Sequence, residues 1–276
     1  MLCPSCGSLV GVKDDKCLIC GRVRPGMWGL TPLLRNIGDD MGFVGLVTWA
    51  CGALYLACLA SDPEGIRTSG LLSFFAPSSR SLFVFGASGA QPVFVYGRWW
   101  SVLSAGWLHA GVLHILFNML WVRDLAPVTV RLYGPGRTVI IYTIAGVCGF
   151  AASTFAFFVP LPFFLHGAGF TVGASAPIFG LVGALLYYGR RGGSSYIGQQ
   201  ARGLALTMLL FGFMMPGIDN WAHLGGLGGG YIAGRVLDPL KPERGDHVLV
   251  AIFCLVVSLL AVAYSVVTGL PQVRVR

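Results

Sequence analysis

From about residue 42 onward, apolar stretches recur along the chain, each closed by a short run of polar residues, glycine or proline. They cover about 43–60, 111–130, 138–158, 173–189, 203–217, 220–237 and 248–268. Each is close to the roughly 17–25 residues that carry a helix across ~30 Å of hydrocarbon. Backbone polar groups in lipid need internal partners, and no barrel-like alternation is present, so these stretches are expected to be helices. The pair 203–217 and 220–237 is tightly joined through Met215-Pro216-Gly217-Ile218-Asp219. Seven spans are expected, or six if one is re-entrant.

Composition supports this pattern. Hydrophobic residues make up 55% of the 276 positions and charged residues only 11%, with a mean hydropathy of +0.74. A soluble domain carries about 25% charged residues, so this chain cannot coat a water-soluble surface. Disorder, a collagen-like fibre and an ordinary soluble enzyme are excluded. The 40 glycines suit helices that approach closely in a membrane. Three parts are expected: a four-cysteine module over 1–26, a linker or interfacial segment over 27–42, and a transmembrane domain over 43–270. No basic segment leads into an apolar run at the start, so no cleaved signal peptide is expected. Residues 61–104 form a long loop rich in aromatics, among them Phe94, Tyr96, Trp99 and Trp100. Such residues favour the membrane interface, so an ordered interfacial element is expected there.

Charge then reports orientation. With the N-terminus inside, the inner segments carry Lys13, Lys16, Arg22, Arg24, Arg35, Arg123, Arg131, Arg137, Arg190, Arg191, Arg202, Arg235, Lys241 and Arg244. The outer segments carry Arg67, Arg80, Arg98, Arg274 and Arg276. The bias predicts N-in and C-out for seven helices, in a plasma (inner) membrane. The basic residues form no stripe, so the net charge of +8 does not point to nucleic acid.

Cys3-Pro4-Ser5-Cys6-Gly7 and Cys17-Leu18-Ile19-Cys20-Gly21 repeat one CxxCG unit. Four thiolates at this spacing can converge on Zn²⁺, with each glycine freeing a tight turn. So short a unit cannot bury a core, and metal would supply its folding energy. Iron in a four-cysteine site is the competing reading. Disulfides suit a cytoplasmic terminus poorly, and no βαβ context favours a redox pair. Cys51, Cys58, Cys148 and Cys254 lie singly in apolar spans and read as small core residues.

Polar side chains inside spans are costly, so they mark candidate function. Three groups qualify: His109, His114 and Asn118; Ser175; and His223. His114 and Asn118 share a helix face four residues apart. All three groups fall toward the expected outer ends of their spans. A serine hydroxyl needs a base to become a nucleophile, and a neutral imidazole is the usual one. Glycines at 225, 226, 229, 230 and 234, with Gly180 and Gly183, would let the two helices close until Ser175 meets His223. His114, Asn118 and the Ser175 N–H would then serve as oxyanion donors. Pro177 suits a helix's first turn. Asp219 lies at the loop, so a dyad is expected rather than a triad. Gly86-Ala87-Ser88-Gly89-Ala90 imitates a nucleophile turn, but Gln91-Pro92 follows and no helix is expected to begin there. His109 reads as structural, His166 and His247 as interfacial, and Arg123–Asp124 as an interface pair.

On the HxxxxHxxxN arrangement of His109, His114 and Asn118, the GxSx turn at Ser175 and the Ala222-His223 helix start, residues 97–236 resemble the rhomboid family of intramembrane serine proteases. The resemblance implies an all-α bundle of six core transmembrane helices, with the seventh as a six-plus-one addition behind a zinc-ribbon head. It implies Ser175 as nucleophile, His223 as general base and acid, and His114 and Asn118 at the oxyanion hole. Phe179 would pack on the catalytic imidazole, and Gly173 and His109 would support the site. Transmembrane segments of other proteins would be the substrates, cut near the outer face without a catalytic cofactor. Two departures stand out: Trp100 is followed by Ser101 where the family often has Trp-Arg, and Ala176 replaces a frequent glycine. A catalytically silent, client-binding relative is the alternative. A transporter would be expected to show inverted repeats or mid-membrane acids, and neither is found. A cytoplasmic partner for the zinc-ribbon head is a further expectation.

Overall fold

The computed structural model describes residues 3, 5–11, 14–23, 25, 40, 42–68, 74–160 and 166–274. The expected linker over 27–42 lies outside the described residues except at Asp40 and Gly42, as do Lys13, Arg24, Arg35 and Arg276. Among the described residues the helices are α1 (Phe43–Ser61), α2 (Ser79–Phe85), α3 (Ser101–Ser104), α4 (Val112–Tyr133), α5 (Pro135–Ala156), α6 (Ser175–Arg190), α7 (Ser195–Met214), α8 (Asn220–Val236) and α9 (Gly245–Arg274). Strand-like features among them are isolated bridges such as Lys16–Val23, Arg67–Ala76 and Ser88–Thr171. The chain is an all-α membrane protein, and each of the seven long helices among the described residues overlaps one predicted stretch.

The main difference in extent is at α7, which starts at Ser195 rather than near 203. Ser194 caps it, its hydroxyl accepting the Ile197 N–H at 3.4 Å. The first turns carry Gln199, Gln200 and Arg202, so apolarity alone does not reveal them. The last helix likewise extends past the predicted 248–268 at both ends.

By length and composition, α1, α5 and α9 can each cross a membrane, and α3 with α4 makes a fourth candidate bent by 92°. The 16-residue α6 and 17-residue α8 reach only about 24–26 Å at 1.5 Å per residue. That is short of ~30 Å of hydrocarbon. α6 is buried at every position from Ala176 to Leu185, walled by α4, α5, α7 and α8. A helix apolar on all sides belongs at such a centre.

Glycine sets the spacing around α6. A Cβ at Gly226 would lie 2.2 Å from the Ala176 carbonyl oxygen, and one at Gly230 would lie 2.0 Å from that of Gly180. On the adjoining face of α8, a Cβ at Gly225 or Gly229 would come within 2.6 Å of the Ala152 or Cys148 side chain on α5. Thus α8 lies wedged between α5 and α6, with backbone close to backbone on the α6 side.

The loop between α1 and α4 is ordered over its described residues. Arg98 is fully buried and donates to the carbonyls of Phe83, Val84 and Ser265, the last at 2.7 Å. Its guanidinium also sits 4.2 Å from the Phe83 ring centre. Trp100 Nε1 donates to Ser265 Oγ at 2.9 Å, and its ring meets Tyr264 edge-on at 4.5 Å. These contacts clamp α9 to the loop. Arg98, two residues before Trp100, therefore supplies a cationic anchor although Ser101 follows Trp100. At the opposite end of the bundle, Arg137 donates to the carbonyls of Tyr133, Leu237 and Asp238, joining the C-terminal ends of α4 and α8.

Candidate active site

Ser175 is the first residue of α6, and its Oγ lies 2.9 Å from His223 Nε2 on the first turn of α8. The turn leading into α6 depends on Gly173, whose φ of 139° is rarely adopted by L side chains. A Cβ there would also sit 2.7 Å from His114 Nε2 and 3.7 Å from Ser175 Oγ. Gly173 therefore lets the backbone pass between the α4 histidine and the serine. At the first turn of α6 the N–H groups have no helical acceptor, and Pro177 has none to lose. The positive end of the helix dipole thus falls at the serine.

His223 is buried, and its ring stacks on Phe179 with centroids 4.3 Å apart and planes 16° apart. Phe179 lies one turn after Ser175, so α6 carries both the hydroxyl and the surface that holds the imidazole. His223 Nδ1 has no partner among the described residues. The carboxylate of Asp219 turns elsewhere: it accepts from Ser153 Oγ at 2.6 Å and from the Ala222 N–H at 3.0 Å. Ser175 Oγ and His223 Nε2 are thus within hydrogen-bond distance, and Asp219 does not bond the imidazole.

His114 Nδ1 accepts the Ala110 N–H at 3.4 Å, which leaves the proton of the neutral ring on Nε2. The space a Gly173 Cβ would fill borders that N–H and Ser175 Oγ alike. One turn on, Asn118 is buried, and its Nδ2 makes no hydrogen bond within the described protein. His114 thus borders the turn into α6, and Asn118 lies one turn further along α4. His109 is fully buried, neither of its ring nitrogens has a hydrogen-bond partner among the described residues, and its ring lies 5.2 Å from that of His114. It packs behind His114 rather than against Ser175.

The other singled-out residues fall elsewhere. Ser88 is buried, accepts from Ser101 Oγ at 3.0 Å and pairs its backbone with Thr171. A π-helical turn does begin at Gln91, contrary to the expectation for that segment, because Pro92 suits its first turn. His166 is exposed beside Phe157, and Arg123 pairs with Asp124 at an exposed position. Asp219, Ser153 and Arg98 were not marked by their sequence setting. The one available signal was Asp219 as a helix-capping residue before Ala222.

In the head, the two CxxCG units fold alike. The Gly7 N–H bonds the Cys3 carbonyl and the Gly21 N–H bonds that of Cys17, each at 2.9 Å, and both glycines have φ of 71°. The four sulfurs lie within 4.8 Å of one another, with Cys3–Cys20 at 3.7 Å and Cys6–Cys17 at 3.6 Å. Disulfides need about 2.05 Å. A tetrahedron with metal–sulfur bonds of about 2.3 Å has edges of about 3.8 Å, which the sulfurs fit. Hydrogen bonding with Ser8 pulls the Cys6 thiol down to about 6, toward the thiolate a metal needs. Cys3, Cys6, Cys17 and Cys20 can hold a metal ion.

The family model for the Rhomboid domain matches residues 96–239. Rhomboid protease GluP of Bacillus subtilis is 34% identical over 185 residues, covering 66% of this chain and 34% of that protein. RHOMBOID-like protein 7 of Arabidopsis thaliana is 34% identical over 181 residues, covering 63% and 53%. Putative rhomboid protease YdcA of Bacillus subtilis is 33% identical over 153 residues, covering 54% and 72%. The chain thus matches about a third to a half of the length of the first two.

Proposed function

The chain belongs to the rhomboid family, and on that premise we propose that it is a serine endopeptidase that cuts transmembrane segments of other membrane proteins. The observation that carries this reading is the 2.9 Å contact between Ser175 Oγ and His223 Nε2. His223 Nε2 takes the hydroxyl proton as Ser175 Oγ attacks the scissile carbonyl carbon. The oxyanion that forms is stabilised by the Ser175 N–H, His114 Nε2–H and Asn118 Nδ2–H. The imidazolium then gives its proton to the departing amine, leaving an acyl-enzyme. Water, deprotonated by His223, attacks the ester and restores Ser175. The shortness of α6, 16 residues, supports a site within the membrane's depth. Phe179, Gly173 and His109 support the site by packing and turn geometry, and no cofactor enters the chemistry.

Labelling by a fluorophosphonate tests the nucleophile. Wild type should label and Ser175→Ala should not; equal labelling of both removes the assignment. A helical reporter bound tightly but left uncut by wild type would favour a silent, client-binding protein.

The four-cysteine head over 1–26 is read as a structural zinc ribbon ahead of a linker over 27–42 and the domain over 43–270. Purified wild type should carry about one zinc per chain, and Cys3→Ser should lose most of it, because removing one thiolate opens the tetrahedron. Zinc content unchanged by Cys3→Ser, or iron in its place, overturns this reading. A cytoplasmic client or regulator is the proposed partner for the head. The placement of basic residues supports a plasma (inner) membrane location, N-in, with the site opening to the outer face. A C-terminal reporter active only in the cytoplasm would contradict that orientation.

A further inference from the structure

The imidazole of His223 has no carboxylate to orient it, so something else must hold it at hydrogen-bond distance from Ser175. Its ring is held by Phe179, but the ring's height is set by where α8 begins. That beginning is Asp219. The Asp219 carbonyl accepts the His223 N–H at 3.2 Å, the first helical bond of the base residue itself. Its carboxylate caps the same turn through the Ala222 N–H at 3.0 Å, and the Trp221 N–H also lies within its hydrogen-bonding reach.

The same carboxylate reaches the nucleophile's side of the site. Ser153 Oγ, on α5, donates to it at 2.6 Å and accepts the Ala168 N–H at 3.0 Å. Ala168 and Thr171 belong to the segment that runs into Gly173 and Ser175. That segment is also held by backbone bonds: Thr171 pairs with Ser88 in both directions, at 2.8 and 3.0 Å, the Ala90 and Gln91 N–H groups bond the Ala168 and Gly169 carbonyls at 3.1 and 3.0 Å, and the Gly173 N–H bonds the Ala105 carbonyl at 3.0 Å. The start of the base helix and the segment before the nucleophile are therefore joined through one carboxylate, with α5 as the bracket.

We propose that Asp219 is a positioning residue that sets the Ser175–His223 separation, acting through Ser153 on one side and the first turn of α8 on the other. The proposal rests on the dyad reading above. A misplacement near 1 Å would carry a 2.9 Å contact beyond hydrogen-bond range and is worth on the order of 100-fold in rate.

The test uses the full chain in liposomes with a fluorophosphonate and a helical reporter. The amplitude of labelling counts competent sites, and its rate reads their reactivity. Asp219→Ala should lower the labelling rate and kcat per labelled site together, on the order of 10- to 100-fold, with KM within about twofold. Asp219→Asn keeps a capping oxygen and should fall between. Ser153→Ala should lose less than Asp219→Ala, and combining the two should add little, because both act through one network. If Asp219→Ala leaves no labelled protein, Asp219→Asn and Ser153→Ala decide by the same rates. A fall in amplitude with the rate per labelled site unchanged overturns the proposal, because Asp219 would then only support folding. Labelling of Ser175→Ala in the same assay overturns the dyad and this proposal with it. An unlabelled Ser175→Ala beside an Asp219→Ala of wild-type rate removes the positioning role alone.

Discussion

Replacing His223 with alanine should reduce cleavage of a transmembrane reporter by at least ~10⁴-fold, the scale on which serine proteases lose kcat with their base. The serine hydroxyl stays in place in that variant but keeps its proton, and a neutral hydroxyl is a poor nucleophile. The loss should be undiluted here. Asp219 bonds to Ser153 and Ala222 rather than to the imidazole, and His223 Nδ1 has no partner. His114, the nearest other imidazole to the serine, is engaged at Nδ1 by the Ala110 N–H and presents a donor at Nε2. It cannot take over as base without giving up that arrangement. Because Ser175 and His223 act as a unit, the double variant should be no slower than either single one. Fluorophosphonate labelling of His223→Ala should fall with cleavage. A variant that keeps more than about 1% of wild-type cleavage would contradict the base assignment, since the expected loss is a hundred times larger.

The residues of the dyad were legible in the sequence for a physical reason. Hydrocarbon is so poor a solvent for polar groups that a histidine at the start of an apolar stretch stands out. Ser175, His223, His114 and Asn118 are conspicuous because their neighbours are apolar. The paired glycines of α8 were legible too, but not which neighbour each face meets: Gly226 and Gly230 face α6, while Gly225 and Gly229 face α5. Arg98 and Asp219 could not be read in the same way. Both lie at span ends, where charge is ordinary, and one arginine in a loop looks like another. Their importance comes from contacts made only after folding, to Ser265 across 167 positions and to Ser153 across 66. Ser153 was hidden for the opposite reason, because a serine in a membrane helix commonly bonds only its own backbone. The head was legible because a repeated CxxCG unit is rare by chance, and its two knuckles fold as copies of one another.

Asn118→Ala should lower kcat by about 100- to 1,000-fold, leave KM nearly unchanged, and not lower the unfolding midpoint. The first two effects follow from the oxyanion role proposed for Asn118. A carbonyl in the ground state asks little of Asn118 Nδ2, whereas the oxyanion of the tetrahedral intermediate asks for a full charge-assisted bond. The third effect follows from the resting site. Asn118 is buried and its Nδ2 has no hydrogen-bond partner within the described protein, a condition that costs a folded chain about 1–3 kcal/mol. Alanine removes that unmet donor and leaves a small cavity, two effects of opposite sign. Stability held in reserve against catalysis has this signature: the variant is disabled and no less stable. A structural role for Asn118 gives the reverse pattern, a lowered midpoint with kcat per labelled site intact. Steady-state kinetics on a helical reporter and a thermal melt of the same preparation separate the two. His114→Ala should match the loss of kcat but not the stability, because its ring also packs against His109 at 5.2 Å and accepts the Ala110 N–H.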